Sequence, residues 1–270
     1  AATLLRYVPR WFVRQAAMQL IQDAYHLVKP VLPAPLRRRL QARWPDLRRR
    51  FPPPVGRIRF GDLRRTTPVD RYFGYRRGDP VDRYYIERFL DRQAADIRGR
   101  VLEIKDAAYT RRFGGDRVAR SDVLDVDEDN PNATVVADLA EGNALPSEAY
   151  DCFILTQTLQ LIYDVRAALA TSYRILKPGG VLLATVPGIT KIGQGNSWYW
   201  SFTEASVRRL FEEVFPASGV SVEAYGNVLA AQAFLQGIAA EELERDELDE
   251  RDPDYPVSIV IRAEKPATQS

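Results

Sequence analysis

From residue 100 onward, short apolar runs alternate with segments of helical period, and this alternation restricts the fold more than any other feature of the chain. Residues 101–104 (VLEI), 120–126, 134–137, 151–156 (DCFILT) and 181–186 (VLLATV) read as strands, with two later ones at 220–225 and 257–263. Residues 165–176 have helical spacing and stop at Lys177-Pro178-Gly179-Gly180, where the proline ends the helix and the glycines supply positive φ. Helices are also predicted over 204–215, with Thr203 as N-cap, and over 228–243. The fourth run is almost wholly apolar, as a central parallel strand is when both its faces are covered. Strands and helices in alternation imply an α/β domain with a mostly parallel sheet wrapped by helices. Ligands of such sheets sit outside the carboxyl ends of the strands.

The first hundred residues are built differently. They carry 23 Lys+Arg against 9 Asp+Glu, whereas the remaining 170 carry 15 against 27, so a net charge of +2 conceals halves of +14 and −12. Residues 3–28 have the spacing of an amphipathic helix, with Leu4, Leu5, Val8, Phe12, Ala16, Leu20 and Ile21 on one face, closed by Pro30, Pro33 and Pro35. A shorter basic helix interrupted by Pro45 is predicted over 37–50, then a stiff Phe-Pro-Pro-Pro linker. Residues 57–77 are irregular and Arg-rich, and 84–93 read as a helix with Tyr85, Phe89 and Leu90 inward. The expected organisation is a basic helical extension over 1–56, an Arg-rich cover segment over 57–99 and an α/β domain over 100–270.

Several classes are set aside by composition. No apolar run is long enough to span a bilayer. A single cysteine, Cys152, in an apolar run excludes an internal disulfide framework and fits a buried thiol in a reducing, cytoplasmic setting. His26 is the only histidine and lies on the N-terminal helix, so neither a His-rich metal site nor a His general base is expected. The acidic second half argues against a broad nucleic-acid footprint. The amphipathic basic helix instead suits a protein partner or peripheral contact with an anionic membrane.

Two stretches carry a resemblance to a known family. EAYDCFILTQTLQLIYD, followed by LKPGGVLLATVPG from Leu176 to Gly188, resembles the second half of a class I S-adenosylmethionine (SAM) methyltransferase. There a Tyr/Phe-Asp pair opens the fourth strand and a Leu-Lys-Pro-Gly-Gly turn leads into the fifth. The resemblance covers the chain from about residue 100. It implies a Rossmann-like fold with a mostly parallel seven-stranded sheet and flanking helices, SAM as cofactor, and methyl transfer. Residue by residue it carries over Glu103 as the acid of the first motif. Asp125, with Val126 beside it, falls at the ribose-binding end of strand two, Asp127 being the alternative. Asp138 and Leu139 fall at the adenine position, and Thr156 and Gln157 at the methionine end.

The first motif departs from the family pattern. An acidic strand end followed by Gly-x-Gly-x-Gly is usual; here the residues are Glu103-Ile104-Lys105-Asp106-Ala107-Ala108-Tyr109. Lys105, Ala107 and Tyr109 occupy the glycine positions, where close backbone approach and positive φ are needed. Two readings follow. Either the loop still binds SAM through Lys105 and Asp106, with Lys105 or Arg111 pairing its carboxylate, or cofactor binding has been lost or replaced and the chain is a methyltransferase-like binding or scaffold subunit, or an enzyme of another reaction.

On the acceptor side, Trp198, Tyr199 and Trp200 follow strand five and are expected to form a substrate wall suited to stacking on sugars or planar rings. Arg83 and Tyr84, in the segment before strand one, are placed to meet a carboxylate or phosphate. The expected activity is SAM-dependent methylation of a small or saccharide-like acceptor, from the aromatic loop and a loose resemblance to bacterial methyltransferase-like proteins of glycan synthesis. No catalytic residue is singled out, because methyl transfer rests mainly on alignment of donor and acceptor.

Overall fold

The computed structural model describes residues 56–142, 144–193 and 197–268. The helices predicted over 3–28 and 37–50, the linker and His26 lie outside the described residues. Thr66–Ser270 form one compact unit. Of the unit before it, the described residues contain a single 3-10 turn, Gly61–Leu63.

The larger unit contains α1 (Val81–Arg92), β1 (Gly99–Ile104), β2 (Val118–Asp125), β3 (Val135–Val136), β4 (Tyr150–Thr156), α2 (Val165–Ile175), β5 (Leu176–Pro187), α3 (Glu204–Glu212), β6 (Val220–Tyr225), α4 (Val228–Gln236), α5 (Arg245–Asp249) and β7 (Ser258–Glu264). The sheet has seven strands in the order β3-β2-β1-β4-β5-β7-β6. β1 to β5 are mutually parallel, and β7 runs antiparallel between β5 and β6. This is the Rossmann-like methyltransferase architecture that the resemblance implies. The order reverses between β1 and β4, and the crevice at their carboxyl ends is the topological switch point.

Alternate side chains divide the core between the two faces. Leu102, Phe153, Leu155, Leu182 and Ala184 face α2 and α3. Val101, Cys152, Ile154, Val181 and Leu183 face α1, which contributes Ile86, Phe89 and Leu90. With both faces covered, the unbroken apolar runs of β4 and β5 are accounted for. α1 runs against the strand direction. Its C-terminus leads into β1 through a short turn, and its N-terminal Arg83 reaches Tyr109, just beyond the carboxyl end of β1.

The family-like motifs hold the opposite end of the sheet together. Asp151 accepts from the Arg100 amide at 2.7 Å and from Lys177 Nζ at 2.7 Å, tying β4 to β1 and to the turn into β5. In that turn Gly179 alone has positive φ (+76°). Gly180 is small for another reason: a Cβ there would lie 2.9 Å from the Lys177 carbonyl oxygen and 3.0 Å from that of Tyr150.

Several boundaries differ from the sequence reading. α1 begins at Val81 rather than Tyr84, with Pro80 as N-cap and no side-chain cap. α2 ends at Ile175, because Leu176 already pairs with Tyr150 in the sheet. Thr203 caps α3 through Ser206 as expected, but the helix ends at Glu212. The long helix predicted over 228–243 breaks at Gly237, in left-handed conformation, into α4 and a separate 3-10 turn, Ala240–Glu242.

Candidate functional site at the carboxyl ends of β1, β2 and β4

Among the described residues, four non-glycine residues have left-handed backbone, and two of them close the strands that flank the switch point: Lys105 after β1 (φ +72°) and Gln157 after β4 (φ +48°). An L side chain in this conformation costs about 1–2 kcal/mol, and such strain concentrates where a particular backbone path is needed. Both turns are anchored. The Lys105 amide donates to the Leu124 carbonyl at 2.9 Å, and the Gln157 amide to that of Thr185 at 2.9 Å.

The three residues at the glycine positions are each accommodated. Lys105 takes up the conformation a glycine would have, and its side chain is exposed. Ala107 is buried and small. Tyr109 turns away from the switch point into the core under α1, beside Phe113. Glu103, 3% exposed, explains how the loop is held: its carboxylate accepts from the amides of Tyr109 (3.0 Å) and Thr110 (2.7 Å). Burial raises the Glu103 pKa above its ordinary value, against the pull of these amides. Asp106 accepts from the Ala108 amide at 2.7 Å and fixes the entry to the same turn.

At the end of β2, Asp125 accepts from the Asp127 amide (3.1 Å) and from Asn130 Nδ2 (2.6 Å). Partial burial alone would raise its pKa, but these hydrogen bonds, helped by nearby Lys105, outweigh burial and keep the carboxyl below its usual range. Asn130 also donates to the Lys105 carbonyl at 2.8 Å, which joins the β1 and β2 loops. Val126 is exposed, and Asp127 turns outward to accept from the Asp129 amide. Asp138 is exposed and accepts from the Ala140 amide at 2.7 Å, whereas Leu139 is a core residue.

The β4 and β5 loops are joined as well. Gln160, on the 3-10 turn Leu159–Leu161, is 2% exposed; its Nε2 donates to the Gln157 carbonyl, and its own carbonyl accepts from the amides of Tyr199 and Trp200. Thr156 is half-buried at the strand end. Trp200 Nε1 donates to the carbonyls of Ile162 and Tyr163, and Tyr163 stacks on Trp200 and meets Tyr199 edge-on. Tyr163, Tyr199 and Trp200 are 72%, 48% and 40% exposed, so this aromatic platform faces solvent.

Arg83 sits above the end of β1 with its guanidinium held by the hydroxyls of Tyr109 (3.2 Å) and Tyr75 (2.8 Å), and no carboxylate pairs with it among the described residues. Asp82 beside it has its pKa pushed up to about 6 by burial, against the opposing charge of Arg83. Tyr84 goes elsewhere: its hydroxyl donates to Asp249 at 2.6 Å on α5. Arg83 is therefore tied to the β1 loop through Tyr109, and Tyr84 is not. A cavity of about 200 Å³ beside Tyr84, Arg88, Tyr225 and Asp249 lies at the far edge of the sheet.

Tyr75, Asn130, Gln160 and Tyr163 are members of the site that the sequence reading did not assign. Gln160 had one available signal, an amide side chain three residues beyond Gln157, on the same loop. Among the described residues, no group of acidic, His or Cys side chains could hold a metal ion, and no helix is long and apolar enough to cross a membrane.

A family described as a methyltransferase domain matches residues 99–184, the stretch from the start of β1 through most of β5. Over those residues the chain is similar to that methyltransferase family. Solved structures of similar fold include a SAM-dependent methyltransferase from Archaeoglobus fulgidus (17% identity, 73% of this chain and 100% of that one, TM-score 0.49). Others are the YcgJ protein of Bacillus subtilis (14%, 68% and 99%, TM-score 0.44) and a phosphoethanolamine N-methyltransferase of Haemonchus contortus (15%, 65% and 53%, TM-score 0.43). No curated protein matches the sequence significantly.

Proposed function

We propose that this chain, whose residues 99–184 match a methyltransferase domain family, is a SAM-dependent methyltransferase acting on a small or saccharide-like acceptor at the carboxyl ends of β1, β2 and β4. The observation that carries the reading is the pair of left-handed turns at Lys105 and Gln157, on the two strands that flank the switch point. The β1 turn keeps the path a glycine would allow, and Tyr109 leaves the crevice for the core.

The residues present fit the cofactor. Asp125 is held ionised and retains lone pairs for two ribose hydroxyls, since each carboxylate oxygen accepts more than one hydrogen bond. Asp138 is exposed at the adenine position. Lys105 and Arg83, neither paired with a carboxylate among the described residues, suit the cofactor's own carboxylate. Thr156 and Gln157 adjoin its methionine end. SAM supplies a methyl group on a sulfonium centre, and the chain's part is to align it with the acceptor and exclude water, which carries most of the rate in such a transfer. Trp198, Tyr199 and Trp200 form the acceptor side. Glu103 serves the loop rather than the cofactor, because both its oxygens are engaged by backbone amides.

That same engagement of Glu103, with the contacts already made to Asp125, favours a second reading: a methyltransferase-like chain that serves as a binding or scaffold subunit. Calorimetry with SAM and its demethylated product separates the two. Binding of both, weakened by Asp125→Asn, is the expected result, and no binding of either at millimolar concentration overturns the first reading.

A further inference from the structure

The joined β4 and β5 loops contain three buried polar atoms without a hydrogen-bond partner among the described residues: Gln157 Nε2, Gln160 Oε1 and Trp198 Nε1. Their residues lie on loops tied together by the chain's own bonding, since Gln160 Nε2 holds the Gln157 carbonyl and the Gln160 carbonyl holds the two amides that follow Trp198. An unmet buried donor or acceptor costs about 1–3 kcal/mol, and most such groups in folded proteins have a partner. Three such atoms on two loops joined to each other, after β4 and β5, call for partners that the described residues do not supply.

We propose that Gln157, Gln160 and Trp198 form a recognition subsite for a neutral, hydroxyl-bearing ring, a saccharide that also lays one face on the Tyr163–Trp200 platform. The chemistry selects this class. Two of the atoms donate and one accepts, and none carries charge. A hydroxyl both donates and accepts, so neighbouring ring hydroxyls satisfy all three. A carboxylate or ammonium group would be desolvated here without a countercharge, which is costly. The platform supplies the apolar half: Trp200 is fixed by its two indole hydrogen bonds, and Tyr163 stacks on it while remaining 72% exposed. An exposed cluster of rings beside unsatisfied polar groups is the usual composition of a site for an amphipathic ring.

The assignment of this ring as the methyl acceptor rests on the methyltransferase reading; its binding does not. The test titrates the full-length protein with methyl α-glucopyranoside, methyl α-mannopyranoside and methyl α-galactopyranoside, with acetate and ethanolamine as charged probes, using saturation-transfer NMR. At least one glycoside is expected to bind in preference to both charged probes. Trp198→Phe, which keeps a ring and removes one donor, should weaken it about 2- to 10-fold. Tyr163→Ala, at the surface, should weaken it comparably and tests the platform should the tryptophan variant misfold. The proposal is overturned if no glycoside binds, leaving water as the occupant. It is also overturned if neither folded variant changes the affinity, or if a charged probe binds more tightly. Calorimetry with demethylated SAM on the same samples keeps the two readings apart. Cofactor binding without glycoside binding refutes the saccharide subsite alone, and glycoside binding without cofactor binding refutes methyl transfer alone.

Discussion

Lys105 offers a way to separate the backbone of the β1 turn from its charge. With φ at +72°, the lysine bears the penalty of a left-handed L residue, about 1–2 kcal/mol. Lys105→Ala keeps this penalty and removes the ammonium group. Lys105→Gly removes both, but glycine gains freedom in the unfolded chain, which returns about 0.4–1 kcal/mol of the benefit. The two variants lose the same influence on Asp125, so that contribution cancels between them. The glycine variant should therefore be the more stable of the two by about 0.5–1 kcal/mol, or about 1–4 °C in Tm for a domain of this size. Parallel urea and thermal unfolding of the full chain measures the difference. For SAM the ordering disappears: both variants lose the same exposed cation and should bind about fivefold more weakly. A glycine variant no more stable than the alanine variant would refute the left-handed turn and the argument built on it.

Three further outcomes follow from other residues. Asp82→Asn should stabilise the protein above pH 6 and lose that advantage near pH 4. The folded pKa of about 6 lies above the ordinary 3.8, so the carboxylate costs stability once it ionises in the native state; the shift sets a ceiling of about 3 kcal/mol, reduced to about 1–2 by the partial exposure of the side chain, and unfolding across that pH range reads it. Glu103→Gln turns an amide donor toward one of two backbone N–H groups and should cost about 2–3 kcal/mol in urea unfolding, while the isosteric side chain keeps the packing. Cys152, fully buried and with its thiol pushed to higher pKa by that burial, should react with a thiol reagent only at the rate of opening, so that labelling accelerates in step with denaturant; prompt reaction in the native state would contradict its placement in the core.

The central place of β4 was readable because both sheet faces are covered: a nearly all-apolar run such as DCFILT belongs in the middle of such a sheet. Thr203 was readable because capping is local. The first motif was not readable in the same way. Its letters show that three glycines are absent, but not that Lys105 adopts a glycine conformation or that Tyr109 turns under α1, since both depend on contacts with Leu124, Arg83 and the core. Tyr84 illustrates the long-range limit: its partner, Asp249, is 165 residues away. Gln160 shows a related one. A glutamine in a loop reads as solvated, and only the docking of the β5 loop over it leaves it 2% exposed.

The bond path from Glu103 through the Tyr109 amide, the Tyr109 hydroxyl and Arg83 to Tyr75 has a consequence for how the molecule opens. A sheet strand, the turn after it, the first turn of α1 and the segment before α1 are linked in series. Elements tied this way unfold locally as a unit rather than fraying separately. The amides of Tyr109 and Thr110 should then exchange hydrogen with the same opening free energy as the protected amides at the start of α1, and Tyr109→Phe, which cuts the path at one hydroxyl, should let the two groups exchange independently. The β1 turn and the first turn of α1 should thus open together as one cooperative unit.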